Sequence, residues 1–223
     1  MIAVLVGMPE EKEVLTRCFP GIQVLSGQDK LNLDALIPAG VTRIISAGLF
    51  GGLAPGIPVG GICTASVVTD KAGAIFRCAS AWNSAVLHAG ADADLTLGCV
   101  SWHSSGLMDE SDTAQQRAAI YEQYGAKGMD DETRFAIALA QKRNIDCNVF
   151  RSCSDDWTET LPLAARGAIM NSDGSANISY LMQEILSEPA YQTLDLAKIG
   201  LDFNRSLETL EYACNAVKEA FLR

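Results

Sequence analysis

Residues 1–13 read MIAVLVGMPEEKE and pass from an apolar run through a glycine to a proline followed by acids. The apolar, β-branched run over 2–6 predicts a short strand buried on both faces, typical of the centre of a parallel sheet. Pro9 fits the first turn of a helix, where Glu10 and Glu11 supply the negative charge that a helix amino end favours. The stretch predicts a strand leading directly into a helix that ends near Cys18.

Strands and helices continue to alternate along the chain. Apolar runs bounded by turn residues predict further strands over 22–25, 42–47, 61–68, 95–102 and 145–150. Helical periodicity predicts helices over 79–89, 113–124 and 129–143, and a helical tail over 174–223 broken at Pro189. We therefore expect one α/β domain over 1–223, with a three-layer α/β/α arrangement around a mixed, largely parallel sheet.

Net charge and hydropathy limit the kinds of molecule that the protein is expected to bind. The 223 residues carry a formal net charge of −10, whereas a nucleic-acid binder normally presents a basic surface. No apolar run reaches the roughly eighteen residues of a membrane span, and the amino terminus lacks the features of a signal peptide. These features indicate a cytoplasmic protein that acts on a small molecule.

The cysteines and histidines predict neither disulfides nor a metal site. Seven cysteines are scattered through mostly apolar runs without a C-x-x-C pair, and they are expected to be reduced. Neither His88 nor His103 stands at ligand spacing from cysteines or carboxylates. We expect no metal and no cofactor.

Two acidic segments and one glycine-rich segment fall at the carboxyl ends of strands, where ligands bind in α/β proteins. They are Glu11, the stretch Gly48-Leu49-Phe50-Gly51-Gly52, and Ser154-Asp155-Asp156. Each has a purely structural alternative, respectively a first-turn charge, a tight turn and a helix cap. The glycine stretch lacks the pattern of a dinucleotide loop and the lysine of a P-loop, so it does not predict a nucleotide cofactor.

The order of the motifs is more specific than any one of them. VLVGMPEEKEVL (4–15), IISAGLFGGLAPGIPVGGIC (44–63) and KGMDDETRFAIALAQKRNIDCNVFRSCSDD (127–156) follow one another along the chain. Together they resemble the nucleoside phosphorylase and nucleosidase superfamily. Members similar to methylthioadenosine/S-adenosylhomocysteine nucleosidase carry a strand–glycine–acidic helix, a T-G-x-x-G-G loop, an E-M-E helix start and an R-x-x-S-D strand end.

The resemblance implies roles for individual residues. Asp130-Asp131-Glu132 align with E-M-E, so Glu132 would bind the ribose hydroxyls, with Asp131 in place of a methionine under the sugar. Arg151-x-x-Ser154-Asp155 aligns with R-x-x-S-D, so Arg151 would belong to the substrate-binding site, and Asp155 would be the acid at purine N7, with Ser154 beside it. The carboxylate that activates water would be Glu11 or Glu13, because the register of the first helix is not determined by the sequence.

The second half resembles the hopanoid-associated phosphorylase branch more closely. SCSDDWTETLP (152–162) is similar to its S-D-x-A-x-x-x-L-P pattern, with Trp157 in place of the alanine, and GLFGG (48–52) is similar to its G-L-A-G-G, with Phe50 in place of the alanine. The implied reaction is release of adenine from adenosylhopane in hopanoid biosynthesis, and Leu49, Phe50, Trp82 and Trp157 are candidates for an apolar entrance. The alternatives are a methylthioadenosine or S-adenosylhomocysteine nucleosidase and a non-catalytic nucleoside-binding protein.

The residues around the glycine stretch bear on the nucleophile. Phosphorylases of the superfamily hold phosphate with an arginine and a serine, and the matching positions here are Ser46 and Leu49. An apolar side chain at an anion site favours water over phosphate, although phosphate is a possible co-substrate if Arg43 or Arg77 reaches the site. The resemblance also suggests a homodimer.

Overall fold

The computed structural model describes residues 1–104, 113–161, 186 and 189–223. In this part of the chain the strands are β1 Ile2–Leu5, β2 Gln23–Leu25, β3 Arg43–Gly52, β4 Ile62–Thr69, β5 Ile75–Arg77, β6 Leu97–Ser104, β7 Gly128–Asp130 and β8 Asp146–Asp155. The helices are α1 Pro9–Cys18, α2 Leu33–Leu36, α3 Ser80–Asp92, α4 Ala114–Tyr124, α5 Thr133–Arg143, α6 Pro189–Ala216 and α7 Lys218–Phe221, with a 3-10 turn at Gly27–Asp29.

The eight strands form one mixed sheet. β1 pairs in parallel with β2 and β3, β3 with β8, β4 with β6, and β6 with β7. Three pairs, β3 with β7, β4 with β5 and β4 with β8, are antiparallel. These pairings close β3, β8, β4, β6 and β7 into a ring, while β2, β1 and β5 extend the sheet outside it.

Alternate residues of the central strands send apolar side chains to opposite faces. Val4 and Ile45 pack in a core that includes residues of α1, α3, α6 and α7. Ala3 and Ile44 pack in a second core with residues of α2 and α5. Helices therefore cover both faces of β1 and β3, as the mixed α/β prediction requires, and the full three-layer arrangement stays a prediction.

The strands that carry the candidate site are longer than their sequence patterns indicated. The stretch Gly48–Gly52 is the second half of β3 and not a loop, because it pairs with β8 as far as Asp155. β8 likewise continues past Phe150, so Arg151 lies inside a strand and not at its end. Backbone pairing with distant strands extends both elements beyond their apolar runs.

Two further differences come from short elements. Met129 and Asp130 belong to β7 and not to a helix, and α5 begins only at Thr133. Three residues are too few to show a periodicity, and the pairing of β7 with β3 and β6 makes them a strand. The tail predicted to be helical before Pro189 lies almost wholly outside the described residues, and Pro189 begins α6.

The described residues also bear on cysteines and membranes. All seven cysteines are free thiols, six of them buried, with Cys99 exposed. None of the helices described combines the length and the apolar character of a membrane span. No group of His, Cys, Asp and Glu side chains within the described residues is arranged to hold a metal ion.

Candidate active site

Glu11 is a buried carboxylate at the junction of β1, α1 and β3, and only 1% of its surface is exposed. Oε2 accepts the backbone N–H groups of Gly7 at 2.6 Å and Met8 at 2.9 Å, and Oε1 accepts that of Leu49 at 2.7 Å. Glu13, two residues further along the helix, is exposed. The geometry therefore favours Glu11 over Glu13 as the carboxylate of this site.

Gly48 makes room for that carboxylate. Its φ is +135°, and a Cβ added there would lie 2.6 Å from the carboxyl carbon of Glu11. A side chain at Gly48 would thus meet both an unfavourable backbone conformation and the glutamate itself. The glycine stretch serves the site by letting the backbone of β3 approach Glu11.

Glu132 lies between β7 and α5 and turns toward the same place. A Cβ added at Gly7 would lie 2.9 Å from Cδ of Glu132, so this carboxyl group packs against the backbone that also binds Glu11. Nη2 of Arg151 lies 3.3 Å from Oε2 of Glu132. Glu11 and Glu132 therefore both lie against the backbone at Gly7, and Arg151 of β8 binds Glu132.

Arg151 is the buried cation of this group, with 1% of its side chain exposed. Nη1 donates to the carbonyl of Leu49 at 2.7 Å, and Nη2 donates to the hydroxyl of Ser46 at 2.8 Å. Nε lies 3.1 Å from Oδ2 of Asp130, close enough for an ion pair but not aligned for a hydrogen bond. Arg151 binds its neighbours on β3 as well as the acids.

Asp130 is held by a dense set of donors. Its carboxylate accepts from Nε1 of Trp102 at 2.7 Å, the hydroxyl of Ser104 at 3.2 Å, and the amide and hydroxyl of Thr133 at 2.7 and 2.5 Å. The resemblance assigned this residue no role. Its contacts indicate that Asp130 anchors Arg151 and the start of α5.

Glu11, Asp130, Glu132 and Arg151 form what we call the carboxylate cluster, in which three acids share one buried base. Burial raises the pKa of Glu132 to about 7, with Arg151 opposing and the neighbouring carboxylates reinforcing the shift. Burial also raises the pKa of Glu11 above 4.5, while Arg151 and the three backbone N–H groups lower it. An acid whose pKa lies near neutrality, as that of Glu132 does, is suited to exchanging protons, and such shifts are typical of functional sites.

Asp131 turns away from the cluster toward other cations. Oδ2 lies 3.3 Å from Nζ of Lys30, and Oδ1 lies 3.4 Å from Nε of Arg134. These pairs explain why an acid is accommodated where the resembling family has a methionine. They do not place its carboxylate among the acids around Arg151.

Asp155 ends β8 four residues beyond Arg151, roughly 13 Å further along the strand at the usual rise per residue. Its Oδ1 accepts from the hydroxyl of Ser154 at 2.5 Å, and Oδ2 forms an ion pair with Nη2 of the buried Arg117. A Cβ added at Gly51 would lie 3.2 Å from Oδ2 of Asp155. The third predicted segment thus shares β3 and β8 with the carboxylate cluster.

Several residues considered from the sequence lie elsewhere. Arg43 pairs with Asp146 at the opposite end of β3, and Arg77 is exposed on the edge strand β5, so neither reaches the site. Leu49, Phe50 and Trp82 are core residues and do not line an entrance, because 5%, 2% and 3% of their surfaces are exposed. Of the four candidates for an entrance, only Trp157 is exposed, at 36%.

Arg117 is the residue of this site that sequence reasoning missed. It lies 38 positions before Asp155 and belongs to no recognised motif. The available signal was its position three residues before Ile120, which places an arginine on the buried face of α4. A charge on such a face indicates a buried partner elsewhere in the chain.

The pKa of Glu132 predicts a pH dependence of stability. The unfolded chain releases this proton near pH 4.5 and the folded chain near 7, so the stability it contributes is complete below about 4.5 and lost as pH rises through 7. We expect wild type to lose about 2 kcal/mol more than Glu132→Gln between pH 5 and pH 8. Urea unfolding at both pH values measures this, and equal losses in the two proteins would contradict it.

Solved structures of nucleosidases share this fold. The 5'-methylthioadenosine/S-adenosylhomocysteine nucleosidase of Helicobacter pylori matches with a TM-score of 0.69 and 13% identity, over 99% of this chain and 97% of that one. The futalosine hydrolase of Helicobacter pylori matches with 0.68 and 13%, over 98% and 97%. The Neisseria meningitidis nucleosidase, in complex with methylthio-immucillin-A, matches with 0.67 and 12%, over 99% and 97%.

The likeness defines the class of fold: the chain has the mixed α/β fold of the methylthioadenosine, S-adenosylhomocysteine and futalosine nucleosidases. No model of a protein family and no curated protein sequence matches the chain. At identities of 12% to 13% the structures establish the fold. The chemistry therefore has to be inferred from the residues of the site.

Proposed function

We propose that this protein is an enzyme that cleaves the N-glycosidic bond of an adenosine-type nucleoside, by hydrolysis rather than phosphorolysis. The observation that carries the proposal is that Glu11 on α1 and Glu132 before α5 are buried beside Arg151 of β8, the strand that also presents Ser154 and Asp155. This arrangement occurs in a fold shared with nucleosidases. A cytoplasmic homodimer without metal or cofactor fits this proposal.

The chemistry of the reaction suits these groups. As the bond between sugar and base breaks, positive charge grows on the sugar and negative charge on the base. The carboxylate of Glu132 would accept hydrogen bonds from the ribose hydroxyls and stabilise the sugar, and Asp155 would donate a proton to N7 of the base. Ser154 would orient Asp155 through the 2.5 Å hydrogen bond to Oδ1.

Glu11 is the proposed base for the attacking water. A carboxylate has about four accepting positions, two on each oxygen. Two backbone N–H groups bind Oε2 and one binds Oε1, so Oε1 retains a position for the water. Its raised pKa, caused by burial, strengthens it as a proton acceptor.

The surroundings of Leu49 support water as the nucleophile. The hydroxyl of Ser46 already binds Arg151 at 2.8 Å and the hydroxyl of Thr133 at 2.8 Å. Arg43 and Arg77 lie away from the site. To bind at Ser46, phosphate would have to displace these hydrogen bonds, whereas an attacking water needs only a hydrogen bond to Glu11.

Two substrates within the class are in competition. The sequence resemblance favours adenosylhopane, and Trp157, which adjoins Asp155 and Asp156, is the exposed apolar residue available to its lipid part. The structural likeness favours 5'-methylthioadenosine or S-adenosylhomocysteine, the substrates in the names of the matched nucleosidases. Burial of Leu49, Phe50 and Trp82 removes most of the entrance considered for the lipid.

Adenine release from the three nucleosides, with and without phosphate, tests the proposal. Release without phosphate supports hydrolysis, and the preferred nucleoside identifies the substrate. Strong acceleration by phosphate with formation of a sugar 1-phosphate would show a phosphorylase. Tight adenine binding without release from any of the three would instead indicate a nucleoside-binding protein.

Glu11→Gln and Glu13→Gln form a matched pair of variants. We expect Glu11→Gln to lower kcat about 100-fold or more, because an amide is a poor base and its NH₂ group cannot accept the backbone N–H groups. Glu13→Gln removes an exposed charge two residues away and is expected to retain wild-type kcat. Steady-state rates of adenine release measure both, and a loss confined to Glu13→Gln would reverse the assignment.

A further inference from the structure

Arg117 lies on α4 and contacts residues that are far from it in the sequence. Thr113 caps the helix, its hydroxyl accepting from the amide of Gln116 at 3.2 Å while its own amide donates to Oε1 of Gln116 at 2.9 Å. Only 2% of the Arg117 side chain is exposed. A guanidinium keeps its charge in proteins, so its burial requires partners that compensate for the lost water.

The partners of Arg117 come from the ends of two strands. Nη1 donates to the carbonyls of Gly52 at 3.3 Å, Asp155 at 3.4 Å and Asp156 at 2.8 Å. Nη2 forms the ion pair with Oδ2 of Asp155. One side chain therefore links the end of β3 to the end of β8 and also contacts the proposed acid.

The other groups around Asp155 are uncharged or turned elsewhere. Burial raises the pKa of the Cys153 thiol to about 12, so this neighbour is neutral. Asp156 directs its carboxylate to the amide and hydroxyl of Thr158, at 2.7 and 2.5 Å. Within the described part of the chain, the charge in contact with the Asp155 carboxyl group is that of Arg117.

We propose that Arg117 is a positioning residue for Asp155, holding its carboxyl group at the end of β8 and stabilising the carboxylate that remains after proton donation. This role rests on the proposed nucleosidase function. When the O–H bond of Asp155 breaks, its proton forms a bond to N7 and the electrons of the glycosidic bond move onto the base. The oxygen of water bonds to C1′ of the sugar and gives its proton to Glu11.

The ion pair gives Arg117 an effect that packing alone would not have. A cation beside a carboxyl group stabilises its ionised form, so Arg117 favours the carboxylate that Asp155 becomes as its proton moves to N7. Because this effect acts through Asp155, a substitution of Arg117 should change the rate only while Asp155 is present to donate the proton. A contact that only supports the fold would lower the rate whether or not Asp155 is present.

Four variants separate these effects, with rates of base release measured at pH 7. We expect Arg117→Met to lower kcat roughly tenfold or more with a smaller change in KM. The same substitution added to Asp155→Asn should leave the residual rate within about twofold of Asp155→Asn alone. Arg117→Lys keeps the charge but loses the planar fork, so kcat should be partly restored. Arg17→Met, which removes an exposed arginine paired with Glu211, is the control and should match wild type.

The outcomes are distinguishable. An active wild type with unchanged kcat in Arg117→Met, or a loss of the same size when Arg117→Met is added to Asp155→Asn, would overturn the role of Arg117 and leave the proposed function intact. A wild-type protein that cleaves no nucleoside overturns both. If Arg117→Met does not fold, Arg117→Lys decides in the same way: a lower kcat that disappears in the Asp155→Asn background supports the proposal, and a loss that persists there overturns it.

Discussion

Asp155→Asn is expected to lower kcat for adenine release about 1,000-fold while the protein stays folded, because the amide of asparagine is far too weak an acid to transfer a proton to N7. The substitution keeps the shape of the side chain and an oxygen that can accept from Arg117, so the fold should survive. Thermal unfolding and steady-state rates of the same preparation measure the two effects. No other single substitution is expected to reduce the rate as much.

Asp156→Asn is the matched control for this prediction. Asp156 follows directly in the sequence, but its carboxylate caps Thr158 and its contact with Arg117 is through the backbone carbonyl. We expect the rate of Asp156→Asn to stay within about twofold of wild type, because its carboxylate binds Thr158 and is not the proposed proton donor. Near-normal turnover by Asp155→Asn would remove Asp155 from the mechanism.

A separate use of the variant is to capture substrate. If Asp155 is the acid here, Asp155→Asn should bind the true substrate without consuming it. Comparing the affinities of this variant for the candidate nucleosides would then rank them without turnover.

Arg151→Met is expected to cause the largest loss of stability, about 3 to 5 kcal/mol in the free energy of unfolding at pH 7. The substitution leaves Glu11, Asp130 and Glu132 buried without their shared cation, and removes the hydrogen bonds to Ser46 and Leu49. Urea unfolding measures the loss. It should be smaller at pH 5, where Glu132 can remain protonated in the folded protein because burial raises its pKa to about 7.

Arg43→Met tests whether the effect belongs to the buried cluster. Arg43 lies on the same strand, β3, but pairs with Asp146, whose side chain is 50% exposed. Removing a partner from such a pair should cost less than about 1 kcal/mol. Equal losses for Arg43→Met and Arg151→Met would show that the buried acids do not depend on Arg151.

Much of the fold followed from local patterns. The apolar run over 2–6, the glycine and the acidic helix start predicted β1 and α1 because each feature lies within one turn or one strand. The ring of five strands had no such local signal. β7 contains three residues, and only its pairing with β3 and β6 closes the ring.

The sequence by itself determined which acids stand next to strands β1 and β8, since their spacing from apolar runs is a local property of the chain. Tertiary structure decided what those acids contact. The amide of Leu49 binds Glu11 and not Glu13, and Arg117 binds Asp155. Each of these contacts joins residues 38 positions apart in the sequence. Burial and charge set proton affinity through such distant neighbours, and no periodicity along the chain records them.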